Sequence, residues 1–202
     1  MEIQPAFSNR ILSKRSKTNT MKILQILGIG LISLSTFLTS SNNDHDMIKT
    51  ADGGALYLKT TYYKEGRATD ILLTKVNAEG NEEWFKRYGG KGYDKSVDFL
   101  QTSDGSLIIL GHTSSYGKGN YDIYLLKVDA TGKEQWSKTF GGFYNEYGKA
   151  ISINEAGEFR ISGTKQVCYD DDDPTPEDCI TQQWMIKTDA LGNKISDSRI
   201  EK

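Results

Sequence analysis

Residues 122–142, DIYLLKVDATGKEQWSKTFGG, constrain this chain more than any other stretch because the pattern comes back twice. It stands upstream at 70–90 as DILLTKVNAEGNEEWFKRYGG, and downstream in worn form at 182–200 as QQWMIKTDALGNKISDSRI. Each copy reads as two short strands joined by a tight turn, with Gly80, Gly132 or Gly192 at the same place in the turn. A chain that repeats itself must solve one packing problem several times over, so the repeat is the unit of the fold.

The similarity extends beyond the hairpin. MIKTADGG (47–54), FLQTSDGS (99–106) and ISINEAGE (151–158) align at an offset of 52, which also carries Trp84 to Trp136, Tyr88 to Phe140 and Gly89-Gly90 to Gly141-Gly142. Each unit then holds four strand-like runs, expected in the second unit at 96–102, 107–112, 122–128 and 134–140. Asp52-Gly53, Asp104-Gly105 and Ala156-Gly157 mark the first turn of each unit, where glycine supplies positive φ. Leu107–Leu110 is apolar at every position, as in a strand covered on both faces. Residues 134–140 alternate instead, with Trp136 and Phe140 on one face. The expected fold is all-β, with three four-stranded antiparallel units at about 47–90, 91–142 and 143–200. Four strands in roughly 50 residues describe the blade of a β-propeller, here open or partial because closed rings take about four to eight blades. A β-trefoil, which also has three copies of four strands, is the alternative.

DATGKEQW (129–136) resembles the tryptophan-docking motif of quinoprotein-type propellers, in which an Asp, a Thr-Gly turn and an outer-strand Trp lock adjacent blades. NAEGNEEW (77–84) is similar, with Asn77 for Asp and Glu79 for Thr, while DALGNKIS (189–196) puts Ser196 in the Trp position. The wider pattern from 47 to 200 resembles secreted bacterial repeat proteins that carry several such blades. The resemblance implies a fold and a location but no activity, because propellers host unrelated functions.

The N-terminal 41 residues stand apart from the repeats. Arg10, Lys14, Arg15, Lys17 and Lys22 precede an apolar run at 23–38, and Thr39, Ser40 and Ser41 follow. A basic segment, a short apolar segment and small residues make a signal peptide with a basic extension, Met1 or Met21 serving as the start. The run of 16 residues is shorter than the ~20 of a spanning helix, so a membrane contact is expected only through this segment if it is uncleaved. The ending Leu38-Thr39-Ser40-Ser41 is similar to a lipobox, but Ser41 cannot form the thioether of a lipoprotein. Removing the segment strips five basic groups and one acidic group, leaving residues 42–202 more acidic than the formal −2 of the whole chain. That balance argues against nucleic acid as a partner and, with export, places the protein in the periplasm, at the cell surface or in the medium of a bacterium.

The third unit carries eight extra residues between its second and third strands, within QVCYDDDDPTPEDCIT. Cys168 and Cys179 flank this loop, and in an exported chain they read as a disulfide. The acids Asp170, Asp171 and Asp172 fall inside it, lacking the alternating acids and mid-loop glycine of an EF-hand, so they read as a solvated binding surface and no metal or other cofactor is expected.

His112, the lone histidine of the repeats, closes an apolar strand without a local Ser or Cys partner and reads as a hydrogen-bonded structural residue; no catalytic residues are assigned. The tyrosines are more suggestive, since Tyr62, Tyr93, Tyr116 and Tyr144 fall in connections that a propeller gathers on one face, whereas Tyr121 and Tyr147 lie beside strands and are expected to pack. A tyrosine offers a flat apolar ring and a hydroxyl, suited to stacking on a sugar or docking a protein. The expected function is an exported non-enzymatic interaction module with a protein or glycan partner on this loop face. The alternatives are a degenerate quinoprotein-like or carbohydrate-active propeller enzyme, and a fragment of a longer repeat protein. The first unit, with no neighbour on one face, is expected to promote association, as in a homodimer.

Overall fold

Leu107, Ile108, Ile109 and Leu110 are all buried, which requires cover on both faces of their strand. The cover comes from a sheet on either side. The computed structural model describes residues 47–62, 68–169 and 178–200, all within the unit Asn42–Lys202. The described residues form β1 (Met47–Lys49), β2 (Ala55–Tyr62), β3 (Thr69–Val76), β4 (Glu82–Tyr88), β5 (Asp94–Gln101), β6 (Leu107–Thr113), β7 (Asp122–Val128), β8 (Glu134–Phe140), β9 (Glu146–Ile153), β10 (Phe159–Cys168), β11 (Cys179–Thr188) and β12 (Lys194–Arg199). These make three four-stranded sheets in chain order, β1 to β4, β5 to β8 and β9 to β12. Every neighbouring pair is antiparallel. The third and fourth strands of the second unit match the sequence expectation, and the first two differ at their ends by one or two residues.

Among the described residues, strands of different units meet only in two isolated parallel bridges, Thr69 with Tyr93 and Tyr121 with Asn145. A trefoil barrel would instead pair strands from different repeats in continuous ladders. The insertion in the third unit is spent largely on strand: β10 and β11 stay in register to the terminal pair Cys168 and Cys179, which are joined by a disulfide.

Period-2 alternation sends successive side chains into two separate cores. Leu56, Leu58, Ile71 and Leu73 of the first sheet meet Leu107, Ile109, Tyr124, Leu126 and Val128 of the second. Ile108, Leu110, Ile123, Leu125 and Phe140, from the opposite face of that second sheet, meet Phe159, Ile161, Trp184 and Ile186 of the third.

The expected docking residues sit at these two junctions. In each unit the third and fourth strands carry a bulge at the same place, between Lys75 and Val76, Lys127 and Val128, or Lys187 and Thr188. The extra residue sets Trp84 opposite Lys75 and Trp136 opposite Lys127. Each tryptophan then reaches the hairpin turn of the following unit. A Cβ built on Gly132 would lie 3.0 Å from Trp84 Cζ3, and one on Gly192 would lie 2.7 Å from Trp136 Cη2. The turns are held by the residues that the motif names: Asp129 Oδ1 accepts from Thr131 N (2.8 Å), Thr131 Oγ1 (2.7 Å) and Lys133 N (3.0 Å). The Tyr88 hydroxyl donates to Gly132 O at 2.7 Å, tying the first junction further.

Candidate functional site

The start of β3, the connections β4–β5, β6–β7 and β8–β9, and the outer half of β10 are stitched to one another at one end of the sheets. Thr69 N donates to Gly92 O (3.3 Å), Ser114 N to Tyr93 O (2.9 Å), Glu146 N to Tyr121 O (2.7 Å) and Gln166 N to Asn145 O (2.9 Å). Tyr93 N returns a bond to Ser114 Oγ at 2.7 Å. The result is a rim, and the expected tyrosines stand on it. Tyr62, at the end of β2, is 73% exposed, whereas Tyr93 and Tyr116 are about two-fifths exposed and Tyr144 is half-buried. Asp170, Asp171 and Asp172 lie outside the described residues.

Tyr116 is the best positioned of these. Its hydroxyl donates to Gly89 O at 2.7 Å, and its ring lies 5.6 Å from that of the buried Tyr124, tilted by 34°. Burial raises both phenols above the usual range, Tyr124 to about 12, so both remain neutral donors. Beside them opens a cavity of about 320 Å³, lined by Tyr116, Tyr124, Glu134, Ser137, Lys138 and Thr139. It offers an aromatic edge, four hydroxyls, a carboxylate and an ammonium, a set that can stack on a flat ligand and hydrogen-bond its polar edge in both senses.

Tyr121 and Tyr147 pack on each other, with ring centres 5.5 Å apart, as expected from their places beside strands. His112 sits edge-on to both, at 6.5 and 5.2 Å. Burial and the Lys95 ammonium depress its pKa to about 4, so the imidazole is neutral near pH 7. Its structural setting agrees with the sequence reading, but its hydrogen bonding does not: Nδ1 is buried with no partner. The ring is held by aromatic edges.

Sequence reasoning missed two features of the rim. Phe143, in the β8–β9 connection, is 81% exposed. The other feature is a pair of acidic corners around the Gly-Gly steps. Asp94, fully buried, accepts through Oδ2 from Gly90 N (2.7 Å) and Ser115 Oγ (2.6 Å). A Cβ on Gly89 would fall 2.5 Å from Asp70 Oδ1 and 2.6 Å from Asp94 Oδ2, so only glycine fits between the two carboxylates. Fifty-two residues on, Gly141 is flanked in the same way by Asp122 and Glu146. Glu146 accepts from Gly142 N at 2.9 Å, and burial raises its pKa. The signal was present, since Asp70 maps to Asp122 and Asp94 to Glu146 at the repeat offset.

Among the described residues, no three His, Cys, Asp or Glu side chains come together to hold a metal ion, and no helix is long and apolar enough to cross a membrane. The disulfide indicates an oxidising compartment. No protein-family model and no curated protein matches the chain.

Proposed function

We propose that this protein is an exported, non-enzymatic binding module of β-propeller type, an open array of three blades whose rim takes a glycan. The Tyr116–Tyr124 cleft carries this reading, because it joins a half-exposed ring to hydrogen-bonding groups of both kinds in about 320 Å³. The blade reading is supported by three chain-order meanders and by a tryptophan of one unit seated on the turn glycine of the next. Export is supported by the disulfide and by the basic, apolar and small-residue order of residues 10–41. A protein partner on the same rim is the second reading, favoured by Phe143 and Tyr62, large side chains left in solvent.

A glycan panel and a cell-surface protein screen with the exported chain test both. Tyr116→Ala is expected to weaken glycan binding at least tenfold while the protein stays folded. Binding that ignores this change and falls with Phe143→Ala would transfer the site to a protein partner. Turnover of a glycan would replace the module by an enzyme.

A further inference from the structure

Each junction between sheets is built from two unlike halves. The donor half is a face bearing an outer-strand tryptophan and a lysine two residues on, Trp84 with Lys86 or Trp136 with Lys138. The acceptor half is the following sheet's apolar face with a turn glycine at its edge, Gly132 or Gly192. Three sheets stacked this way leave one outer face at each end, and the two ends differ.

The outer face of the first sheet is an acceptor half on which, among the described residues, nothing is seated. Register places Met47, Tyr57, Thr74 and Phe85 in one row, Ala55 with Val76 in the next, and Lys59, Leu72 and Arg87 in a third. Tyr57, Leu72 and Val76 are the counterparts of Ile109, Tyr124 and Val128, which the first sheet covers at the neighbouring junction. A Cβ on Gly80, the counterpart of Gly132, would meet nothing within 4 Å. Phe85 is 49% exposed.

The outer face of the third sheet is not a donor half. Ser152, Arg160, Lys187 and Ser196 form the row that in the second sheet reads Leu100, Ile108, Lys127 and Trp136. Ser162 and Met185 replace Leu110 and Leu125 in the next row. A second copy therefore has no tryptophan to offer: its Trp84 and Trp136 are engaged within it, and its last face is polar.

We propose that the outer face of the first sheet is a docking surface for a four-stranded sheet of this repeat type on a different polypeptide, which seats an outer-strand tryptophan on the Gly80 turn. The argument is continuity with the two internal junctions, whose acceptor half this face repeats. It is independent of the Tyr116 cleft, whose lining comes from β7, β8 and the β6–β7 connection of the second unit.

The test uses full-length chains and builds the missing donor. One variant carries Arg160→Ile, Ser162→Leu, Met185→Leu and Ser196→Trp, with Leu72→Lys and Val76→Lys to block its own acceptor face. Sedimentation velocity at micromolar concentration is expected to show wild type alone as a monomer and a one-to-one complex when the folded variant is added. Restoring Ser196 in the variant, or placing Leu72→Lys and Val76→Lys in the wild-type partner, is expected to weaken the complex at least tenfold. Should the multiple variant not fold, Ser196→Trp alone, at an exposed position, is expected to self-associate, and adding Leu72→Lys and Val76→Lys is expected to abolish this. Absence of association by a folded donor overturns the proposal, as does association indifferent to the acceptor changes. A wild-type dimer abolished by Leu72→Lys and Val76→Lys would also overturn it, by making a second copy the occupant.

Discussion

Gly132 and Gly80 occupy equivalent turns with nearly the same positive φ, +76° and +83°, yet their surroundings differ. An alanine at either position meets the same backbone strain, on the order of 1 kcal/mol. At Gly132 the added methyl would also fall 2.7 Å from Lys86 Cγ and 3.0 Å from Trp84 Cζ3. Gly132→Ala is therefore expected to cost at least about 1 kcal/mol more than Gly80→Ala in urea denaturation, as an overpacked junction does. Equal costs would mean that the tryptophan contact contributes nothing. His112 supports a second prediction at this scale. Its folded pKa of about 4 lies below the ordinary value of 6.5, so the unfolded chain binds the extra proton between them. The stability it contributes is complete above about pH 6.5 and is lost as pH falls towards 4, by on the order of 3 kcal/mol at most. Glu146, raised by burial, acts in the opposite sense, losing stability as pH rises through the carboxylate range. Subtracting the pH profile of His112→Leu from that of wild type isolates the imidazole, and a flat difference from pH 7 to 4 would refute its burial.

At the scale of elements, the hairpins were legible because two local rules agree: apolar alternation sets the strands, and glycine marks the positive-φ corners at Gly80, Gly132 and Gly192. The motif also pointed to Trp84 and Trp136, but only the fold shows that each seats on the glycine of the next unit. The acidic corners left a trace in the sequence, the recurrence of Asp70 and Asp94 as Asp122 and Glu146 at the repeat offset, but their burial was not legible, since Asp94 and Glu146 look like surface loop acids. Burial of a carboxylate depends on donors such as Gly90 N, Ser115 Oγ and Gly142 N, brought in by tertiary structure. The disulfide was read from two cysteines and an export signal, and the register of β10 with β11 supplies its cause. Cys168→Ser with Cys179→Ser is expected to lower stability by about 3 kcal/mol by freeing a loop of 11 residues in the unfolded chain. Thiol labelling of the exported protein without reductant is expected to find neither cysteine; labelling of both would overturn the pairing.

At the scale of the molecule, the middle sheet is, among the described residues, the one element buried on both sides, sharing one core with the first sheet and another with the third. In an array where units touch only their neighbours, stability is the sum of unit and interface contributions. The middle unit has two such interfaces and each end unit has one. Amides of β6 and β7 are therefore expected to exchange most slowly, near the rate of global unfolding, while β1 and β12 open first. Substitutions at equivalent sites sharpen this. Leu125 is fully buried, and Leu125→Ala is expected to cost about 3 kcal/mol by leaving a cavity in the second core. Met185 holds the equivalent place on the outer face of the third sheet and is only half-buried, so Met185→Ala is expected to cost about 1 kcal/mol. If the two costs are equal, the third sheet is covered in solution by something that binds its polar face. Uniform exchange across all three sheets would show that the array unfolds as one block, with the middle sheet no more protected than its neighbours.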